Sequence, residues 1–398
     1  MHVGVAYRDL PDSDVAGFEA VIEAMERSHI RHGSLVLVFA TAFHDMELLH
    51  AGVRRAAGPS VRIVGGHAVG VMDNHTLGYS GYQVGVAVFA FDDEPADIQV
   101  ARELADNEHA VGEALGQQLV AHDPGRATLL LYDSVNRLSG RMKLNMATPL
   151  LDGISSRAGN RHQLVGAGLC GDMVGSPTRQ IVDDTVVQQA AIAVTLPADV
   201  RMHSTILHGC EPASDYRTVT RVDGATVLEL DHRPALEVAQ EFFGPELSLD
   251  EYGFFVTLGI NTGDKWATFN ESAYINRLCL KVDDERGGLV MFEPDIREGM
   301  EVQFMHRNVS MDYIAPRVEA TFREVQGRRP VFALYIDCAG RAAAYAGMDD
   351  EEATAVQNAV ADRVPMLGFY SGVEVGLVQG RPRPLDWTGV FCLFSTAS

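Results

Sequence analysis

The chain has 398 residues, of which 46% are hydrophobic and 22% charged, an ordinary balance for a globular protein with a substantial core. Its 54 acidic and 32 basic residues give a formal net charge of -22, which argues against a nucleic-acid or anionic-membrane surface. The first residues show no signal-peptide pattern, and no apolar run approaches the roughly 18 residues of a membrane helix. We therefore expect a cytoplasmic protein without nucleic-acid or membrane partners.

The first predicted unit is a strand, a helix and a second strand. Leu35–Ala40 is an uninterrupted apolar run, an apolar-periodic helix follows around Leu49, and Val61–Val64 is the next buried strand. A glycine-rich loop with His67 comes next, and the unit closes with the β-rich run Tyr82–Phe91. His67 can ligate haem iron or another metal, but a hydrogen-bonded loop histidine is the commoner role.

The same order of elements recurs in the middle of the chain. The strand Ala127–Tyr132 leads into a polar loop, and a helix is predicted near Ala147–Arg157. A second strand, Gln163–Val165, runs into another glycine loop, and Val186–Leu196 is the closing β-rich run. The residues of these loops that we consider as ligand contacts are Asp133, Cys170 and Asp172. Aspartates in such loops also close turns, so that interpretation stays open for both of them.

A domain boundary is predicted near Leu196–Arg201, where a β run ends at a proline. We expect one α/β domain over residues 1–200 and a second domain over 201–398. Residues 201–325 carry short β runs with one clear helix, Pro234–Phe243, and residues 326–398 form the last strand–helix–strand unit.

The third unit contains the largest number of candidate ligand contacts. Val331–Ile336 and Val364–Leu367 read as buried strands, and Asp349 and Asp350 open a helix that runs to about Arg363. The loops that follow these two strands hold four candidate ligand contacts, Cys338, Arg341, Tyr370 and Glu374.

These four residues suggest a polar ligand. Arg341 can grip a carboxylate or phosphate, or else pair with a neighbouring acid, and its charge would favour the thiolate of Cys338. Glu374 should be partly buried and would need a partner such as a ligand amine. Tyr370 can supply a stacking wall. Together Arg341 and Glu374 would suit an amino-acid-like ligand.

The repetition predicts an α/β fold in which strand–helix–strand units form mixed sheets, two-lobed, with a β-rich segment in the C-terminal half. In such sheets ligands bind beyond the carboxyl ends of the parallel strands. We therefore expect the six loops to converge, so that Cys338 and Glu374 share a cavity with residues from an earlier loop.

The segments DCAGR (337–341) and GFYSGVEVG (368–376) resemble the C-terminal signature of FIST domain proteins. LVLVFA, IVGGHAVGV and LVGAGLCGDM are similar to the family's N-terminal half. The resemblance implies a FIST N-like domain over 1–200, a FIST C-like domain over 201–398, and a small-ligand sensory role. One branch of the family is proposed to sense nitric oxide through haem, so the cofactor stays open. Val373 stands where the family usually has glycine, so ligand identity does not carry over.

The sequence is compatible with three functions. The first is a sensory module that binds a small polar ligand and signals through a separate protein. The second is an enzyme that uses Cys338 as nucleophile or metal ligand. The third is a haem-based nitric oxide sensor.

Overall fold

A computed structural model describes residues 1–138, 140, 142–160, 162–244, 248–325 and 327–397. The fold contains three units with the same order of elements, followed along each unit as strand, helix, strand, helix, strand, hairpin and strand. The third unit is interrupted by an inserted sheet.

The first two units occupy the N-terminal half. Unit 1 consists of β1 (His2–Asp9), α1 (Ser13–Arg27), β2 (Leu35–Ala40), α2 (Met46–Ala57), β3 (Arg62–His67), β4 (Gly70–Met72), β5 (Leu77–Gly78) and β6 (Gln83–Ala90). Unit 2 consists of β7 (Asp97–Arg102), α3 (Glu108–Leu119), β8 (Ala127–Asp133), β9 (Val135–Asn136), β10 (Lys143–Leu144), α4 (Ala147–Ala158), β11 (Gln163–Leu169), β12 (Gln180–Val182), β13 (Thr185–Val187) and β14 (Ala190–Thr195).

Unit 3 and the inserted sheet occupy the rest. The unit opens with β15 (Arg201–Leu207). The insertion then comprises β16 (Cys210–Pro212), β17 (Arg217–Asp223), β18 (Thr226–Leu230), β19 (Arg233–Pro234), α5 (Ala235–Phe243), α6 (Leu249–Tyr252), β20 (Thr257–Asn261), β21 (Tyr274–Asp283), β22 (Gly288–Met291) and β23 (Glu301–Arg307). Unit 3 resumes with α7 (Ile314–Glu324), β24 (Arg328–Cys338), α8 (Ala343–Ala346), α9 (Glu352–Val360), β25 (Met366–Ser371), β26 (Val373–Val378), β27 (Arg381–Leu385) and β28 (Gly389–Ala397).

Each unit builds most of one six-stranded sheet and completes another. The sheet orders are β1-β6-β2-β3-β12-β13, β7-β14-β8-β11-β26-β27 and β15-β28-β24-β25-β4-β5. The hairpin β4-β5 of unit 1 therefore joins the sheet of unit 3. The hairpin β12-β13 of unit 2 joins the sheet of unit 1, and the hairpin β26-β27 of unit 3 joins the sheet of unit 2. In every sheet the second and third strands of the unit are parallel and the other pairs are antiparallel. This cyclic exchange brings the three sets of strand ends together.

The inserted sheet closes on itself. Its strands follow β23-β17-β18-β22-β21-β20, and β20 pairs again with β23. We refer to residues 210–307 as the closed sheet. It lies beside the strand ends of units 2 and 3, because Arg277 and Leu278 of β21 donate hydrogen bonds to Pro384 of β27 and to Asp386, which directly follows that strand.

The sequence dictates these elements locally. β2 and β8 are buried along their whole length, as expected for parallel strands that are covered on both faces. Aspartate or asparagine caps the first helices: the side chains of Asp12, Asp45 and Asn107 accept the N–H groups of Val15, Leu48 and Ala110.

The main core lies between the sheets. Phe39, Leu131, Ile336 and Phe369 from the inner faces belong to one continuous apolar cluster, which extends into the closed sheet. The helices cover the outer faces with separate smaller clusters. Burial of this surface is the dominant favourable contribution to folding.

The observed elements confirm the predicted α/β class with mixed sheets and a β-rich segment in the C-terminal half. α4 begins at the predicted Ala147, whereas α9 is shorter than predicted and spans Glu352–Val360. No described helix combines the length and the apolarity that a membrane crossing would require.

Candidate functional site

A cavity of about 190 Å³ lies where strand ends of units 2 and 3 face the closed sheet. We call it the central cavity. Its wall from the two units includes the loops after β8, β11, β24 and β25, with Ser134, Cys170, Asp172, Cys338, Ser371 and Gly372. The closed sheet contributes Phe254, Leu278, Leu280, Phe292 and Glu293, and the chain after β27 contributes Asp386 and Trp387. The predicted convergence of loops therefore occurs for four of the six strands.

Glycine allows the strand ends to approach closely. The Gly372 N–H donates to the Gly168 carbonyl oxygen at 2.9 Å, which joins the ends of β25 and β11. A Cβ atom at Gly372 would lie 2.7 Å from Ser134 Oγ and 3.2 Å from Cys170 Cβ. A side chain at this position would push apart the loops that form the cavity wall.

Three of the eight residues proposed from sequence line this cavity: Cys338, Cys170 and Asp172. Burial, with added repulsion from Glu374, raises the pKa of the Cys338 thiol well above its ordinary value. Burial likewise raises the pKa of Cys170 to about 12, and its Sγ donates to the Asp172 carbonyl at 2.9 Å. Both sulfurs are therefore neutral thiols at pH 7, the form that is poorly nucleophilic.

This gives a direct prediction for thiol reactivity. We expect iodoacetamide at pH 7 to label Cys338 and Cys170 far more slowly in the folded protein than in denaturant, because the reactive thiolate is disfavoured by burial. Peptide mapping by mass spectrometry after timed labelling measures both sites. Labelling of folded Cys338 as fast as of the unfolded chain would contradict the assignment of a neutral thiol.

Glu374 lies behind the cavity wall. It is fully buried on β26, its Oε1 lies 2.8 Å from Ser371 Oγ, and its Oε2 has no partner among the described residues. Burial raises the pKa of this carboxyl group well above its ordinary value. The Ser371 hydroxyl, which does line the cavity, also lies 3.2 Å from the Asp337 carbonyl oxygen. The single hydroxyl hydrogen of Ser371 can be donated either to the Glu374 carboxyl group or to the Asp337 carbonyl oxygen.

The exchanged hairpins show that Glu374 occupies a recurring position. Glu374 pairs with Ala167, the residue after Gly166 in β11. Gln180 of the unit 2 hairpin pairs with Gly66, the residue after Gly65 in β3, so Glu374 and Gln180 occupy equivalent positions. The Gln180 amide is satisfied by both backbone groups of Ala190. Glu374 has no such pair of partners, so its unpaired oxygen distinguishes this copy of the unit.

Arg341 is fully buried outside the cavity lining. It forms ion pairs with Asp337 at 3.1 Å and Glu352 at 2.8 Å. Its Nη1 donates to the carbonyl oxygens of His208 and Trp387, and Nη2 donates to Tyr313 Oη. The guanidinium group therefore links β24 and α9 to the segment before the closed sheet and to the chain after β27, with protein groups as its partners.

The other three sequence candidates also lie outside the cavity lining. Tyr370 is buried and its hydroxyl donates to Glu351 at 2.5 Å. Asp133 accepts hydrogen bonds from Val135 and Gln189, and burial raises its pKa to about 6. His67 accepts the Arg179 N–H at 3.2 Å through Nδ1, and burial lowers its pKa to about 4, so the ring is neutral.

Two acidic residues that sequence reasoning missed line the cavity. Glu293, after β22, accepts the N–H groups of Ala147 and Thr148 at the start of α4, at 2.9 and 2.8 Å. Asp386 accepts the Leu278 N–H at 3.0 Å. Burial raises the pKa of Glu293 to about 7 and that of Asp386 to about 6. No local pattern marks either residue, because each reaches the site only through the packing of the closed sheet.

The remainder of the lining is mostly apolar, and its described residues include no lysine, arginine or histidine. A groove of about 980 Å³ adjoins the cavity and shares Met173, Phe254, Gly340 and Trp387 with it. Phe254 and Phe255 are 58% and 54% exposed at this groove, which offers a route to the cavity from solvent. Within the described chain, no three His, Cys, Asp or Glu side chains gather closely enough to hold a metal ion.

Comparison with protein-family models decides the family. The FIST N domain model matches residues 34–233, and the FIST C domain model matches residues 235–377. The chain belongs to the FIST family. FIST domains are small-ligand sensory domains. The two matched FIST domains agree with the predicted two lobes, and the central cavity contains residues of both: Cys170 lies in the first and Cys338 in the second.

Similar FIST relatives come from mycobacteria. Rv0628c, an uncharacterized protein of Mycobacterium tuberculosis, is 25% identical over 99% of this chain and 100% of its own length. Mb0898c, an uncharacterized protein of Mycobacterium bovis, is 26% identical over 58% of this chain and 60% of its own length.

Among solved structures, the cyanuric acid hydrolase of A. caulinodans shows 13% identity and a TM-score of 0.24, over 50% of this chain and 72% of the hydrolase. PurLQS of Thermotoga maritima shows 9% identity and a TM-score of 0.23, over 100% and 72% of the two chains. At TM-scores this low, neither structure supports an inference about the fold or the function of this chain.

Proposed function

We propose that this FIST protein is a cytoplasmic sensory module whose ligand is a small, largely apolar amine that binds in the central cavity. The observation that carries the proposal is the pair of buried carboxyl groups, Glu293 and Asp386, in a mostly apolar lining. The five cysteines are free thiols in the structure, which suits a reducing compartment.

The size of the cavity limits the ligand. A dry apolar cavity of about 150 Å³ accommodates benzene, and drug-sized ligands occupy roughly 300–1,000 Å³. At about 190 Å³, the central cavity suits one six-membered ring or a short branched chain with a single polar group.

The charges of the lining select the polar group. At neutral pH Asp386 is largely ionised and Glu293 is partly so, since their pKa values are about 6 and about 7. A bound ammonium group would be drawn to these carboxylates and would donate hydrogen bonds to them. A ligand carboxylate would meet no cation in the described lining, because the Arg341 guanidinium is occupied by protein partners outside it.

Signalling would follow from the position of the cavity. A ligand there touches the loops of units 2 and 3 and the closed sheet at once, so its binding would favour one packing of these parts over another. We propose that a separate signalling protein reads this change in packing.

The proposal predicts selective stabilisation by amines. Benzylamine should raise the melting temperature at pH 7.5, whereas benzoate of the same shape should not, because the described lining offers an ammonium group two buried carboxylates and offers a carboxylate no cation. Differential scanning fluorimetry of the full chain, with matched concentrations of both compounds, measures the shift. Affinity for benzylamine should fall as the pH is lowered below about 6, since Asp386 then becomes protonated.

Asp386→Asn is the matching variant, because asparagine retains the shape and the acceptor for the Leu278 N–H. It should weaken benzylamine binding by about tenfold or more, the worth of one hydrogen bond to a charged group. Asp215→Asn, at an exposed aspartate outside the cavity, serves as the charge-matched control. Equal stabilisation by benzoate, or equal benzylamine affinity in Asp386→Asn and the control, would contradict the proposal.

A further inference from the structure

A second pocket, of about 290 Å³, lies beside α4. It is bounded by α4, by β27 and by the loop after β22, and it shares no lining residue with the central cavity. Three arginines line it: Arg297, Arg381 and Arg383. In a chain with a net charge of -22, such a concentration of positive charge calls for an explanation.

Arg381 and Arg383 stand two residues apart on β27, so their side chains leave the same face of the strand. Pro382 and Pro384 alternate with them and restrict the backbone of this edge strand, which pairs only with β26. Neither guanidinium group has a hydrogen bond or an ion pair within the described parts of the chain. Both therefore retain their full set of donors.

Arg297 approaches from the closed sheet. Its Nη1 donates to the carbonyl oxygens of Pro294 and Ile296, which fixes the side chain over its own loop. Its other N–H groups have no partner among the residues that the structure describes. A third donor group is thus held near the two on β27.

The acidic residues of the pocket do not cancel this charge. Asp295 is held by Arg277 through two hydrogen bonds of 2.6 Å, and this pairing lowers its pKa despite burial. Asp152 is the other carboxylate of the lining. His162 donates to the Ala158 carbonyl at 3.0 Å and is neutral, since burial lowers its pKa. Three arginines against one uncompensated aspartate leave the described lining positive.

We propose that this pocket binds a small phosphate-bearing anion, of the size of a phosphate monoester. Guanidinium forks match the oxygens of phosphate and donate two hydrogen bonds each, and arginine is the residue preferred for this contact. The volume admits the phosphate with a few further atoms.

The bound anion would connect three parts of the molecule: α4 of unit 2, the exchanged hairpin of unit 3 and the closed sheet. β27 continues from the two arginines to Leu385, next to Asp386 in the central cavity. The site is therefore placed to influence the packing around that cavity, although its existence does not depend on what the cavity binds.

Isothermal titration of the full chain with inorganic phosphate, and then with glycerol 3-phosphate, tests the proposal at constant ionic strength set with sodium chloride. The Arg381→Ala/Arg383→Ala variant should lose at least about tenfold in affinity for both compounds, and Arg297→Ala, on a different element, should lose affinity as well. Arg31→Ala/Arg102→Ala removes two exposed arginines outside the pocket and should bind like the parent.

Absence of phosphate binding to the parent protein would overturn the proposal. So would an affinity that is the same in Arg381→Ala/Arg383→Ala, Arg297→Ala and the Arg31→Ala/Arg102→Ala control. A loss of affinity in the control as large as in the pocket variants would show that phosphate responds to net charge alone, which also overturns it.

Discussion

Replacing Arg341 with alanine should lower the free energy of unfolding by about 3–5 kcal/mol, the range expected when one partner of a buried ion pair is removed. The side chain is fully buried, and its loss leaves Asp337 without a cation in the described chain and Glu352 with Arg307 alone. The carbonyl oxygens of His208 and Trp387 lose a donor at the same time. Chemical denaturation at pH 7.5, followed by circular dichroism, measures the change.

Arg286→Ala is the control for this prediction. Arg286 also contacts two carboxylates, Asp283 and Asp223, but on the surface of the closed sheet. Exposed ion pairs contribute about 0–1 kcal/mol, so this variant should unfold nearly like the parent. If Arg341→Ala cost no more than the control, the structural role of Arg341 in linking β24 to α9 and to the segment before the closed sheet would be wrong.

Asp386→Asn should stabilise the ligand-free protein at pH 7.5 by about 3 kcal/mol, since each unit of pKa shift corresponds to about 1.4 kcal/mol. Burial raises the pKa of Asp386 from 3.8 to about 6, so the folded protein holds this proton more tightly than the unfolded chain. The parent therefore loses stability as the pH rises from 3.8 to about 6. Asparagine does not titrate and avoids that loss.

The comparison of parent and variant across pH measures the titration of Asp386 together with that of Glu293, whose pKa the Asp386 charge raises. The stability difference should be small near pH 4, grow as the pH rises through about 6, and stay constant above it. Buried groups whose pKa Asp386 does not influence, such as His67, titrate equally in both proteins and cancel. Denaturation curves at several pH values measure the difference. If Asp386→Asn were less stable than the parent at pH 7.5, the Asp386 carboxylate would stabilise the fold. It would then not be a group that destabilises the ligand-free protein and is available to bind a ligand.

Much of the fold could be predicted because the repeated units carry strong local signals. Leu35–Ala40 forms β2 with the predicted bounds, since a short apolar run with turn residues on either side leaves few alternatives. The exchange of hairpins between units could not be predicted. β26 is buried and apolar apart from Glu374, and nothing in its sequence specifies β11 as its partner over a strand of its own unit.

The site was only partly predictable for a similar reason. Cys338, Cys170 and Asp172 follow strands whose carboxyl ends meet, so position along the chain was sufficient to place them. The role of Arg341 could not be predicted, because it depends on which acidic side chains lie next to the guanidinium group in the fold. One of these is Glu352 of α9. Glu293 and Asp386 look like ordinary acidic residues in sequence. They become buried lining residues because the closed sheet packs over the strand ends of units 2 and 3.

The measurement that bears most directly on the proposed ligand site is the anomalous difference map of a crystal soaked with 4-bromobenzylamine. Bromine marks the ring, and the amine orients it. We expect one strong peak inside the central cavity, with the ammonium nitrogen within hydrogen-bond distance of Asp386 or Glu293 and the ring against Phe254 and Phe292. An empty cavity alongside a bromine peak elsewhere on the protein would contradict the assignment of this cavity as the ligand site.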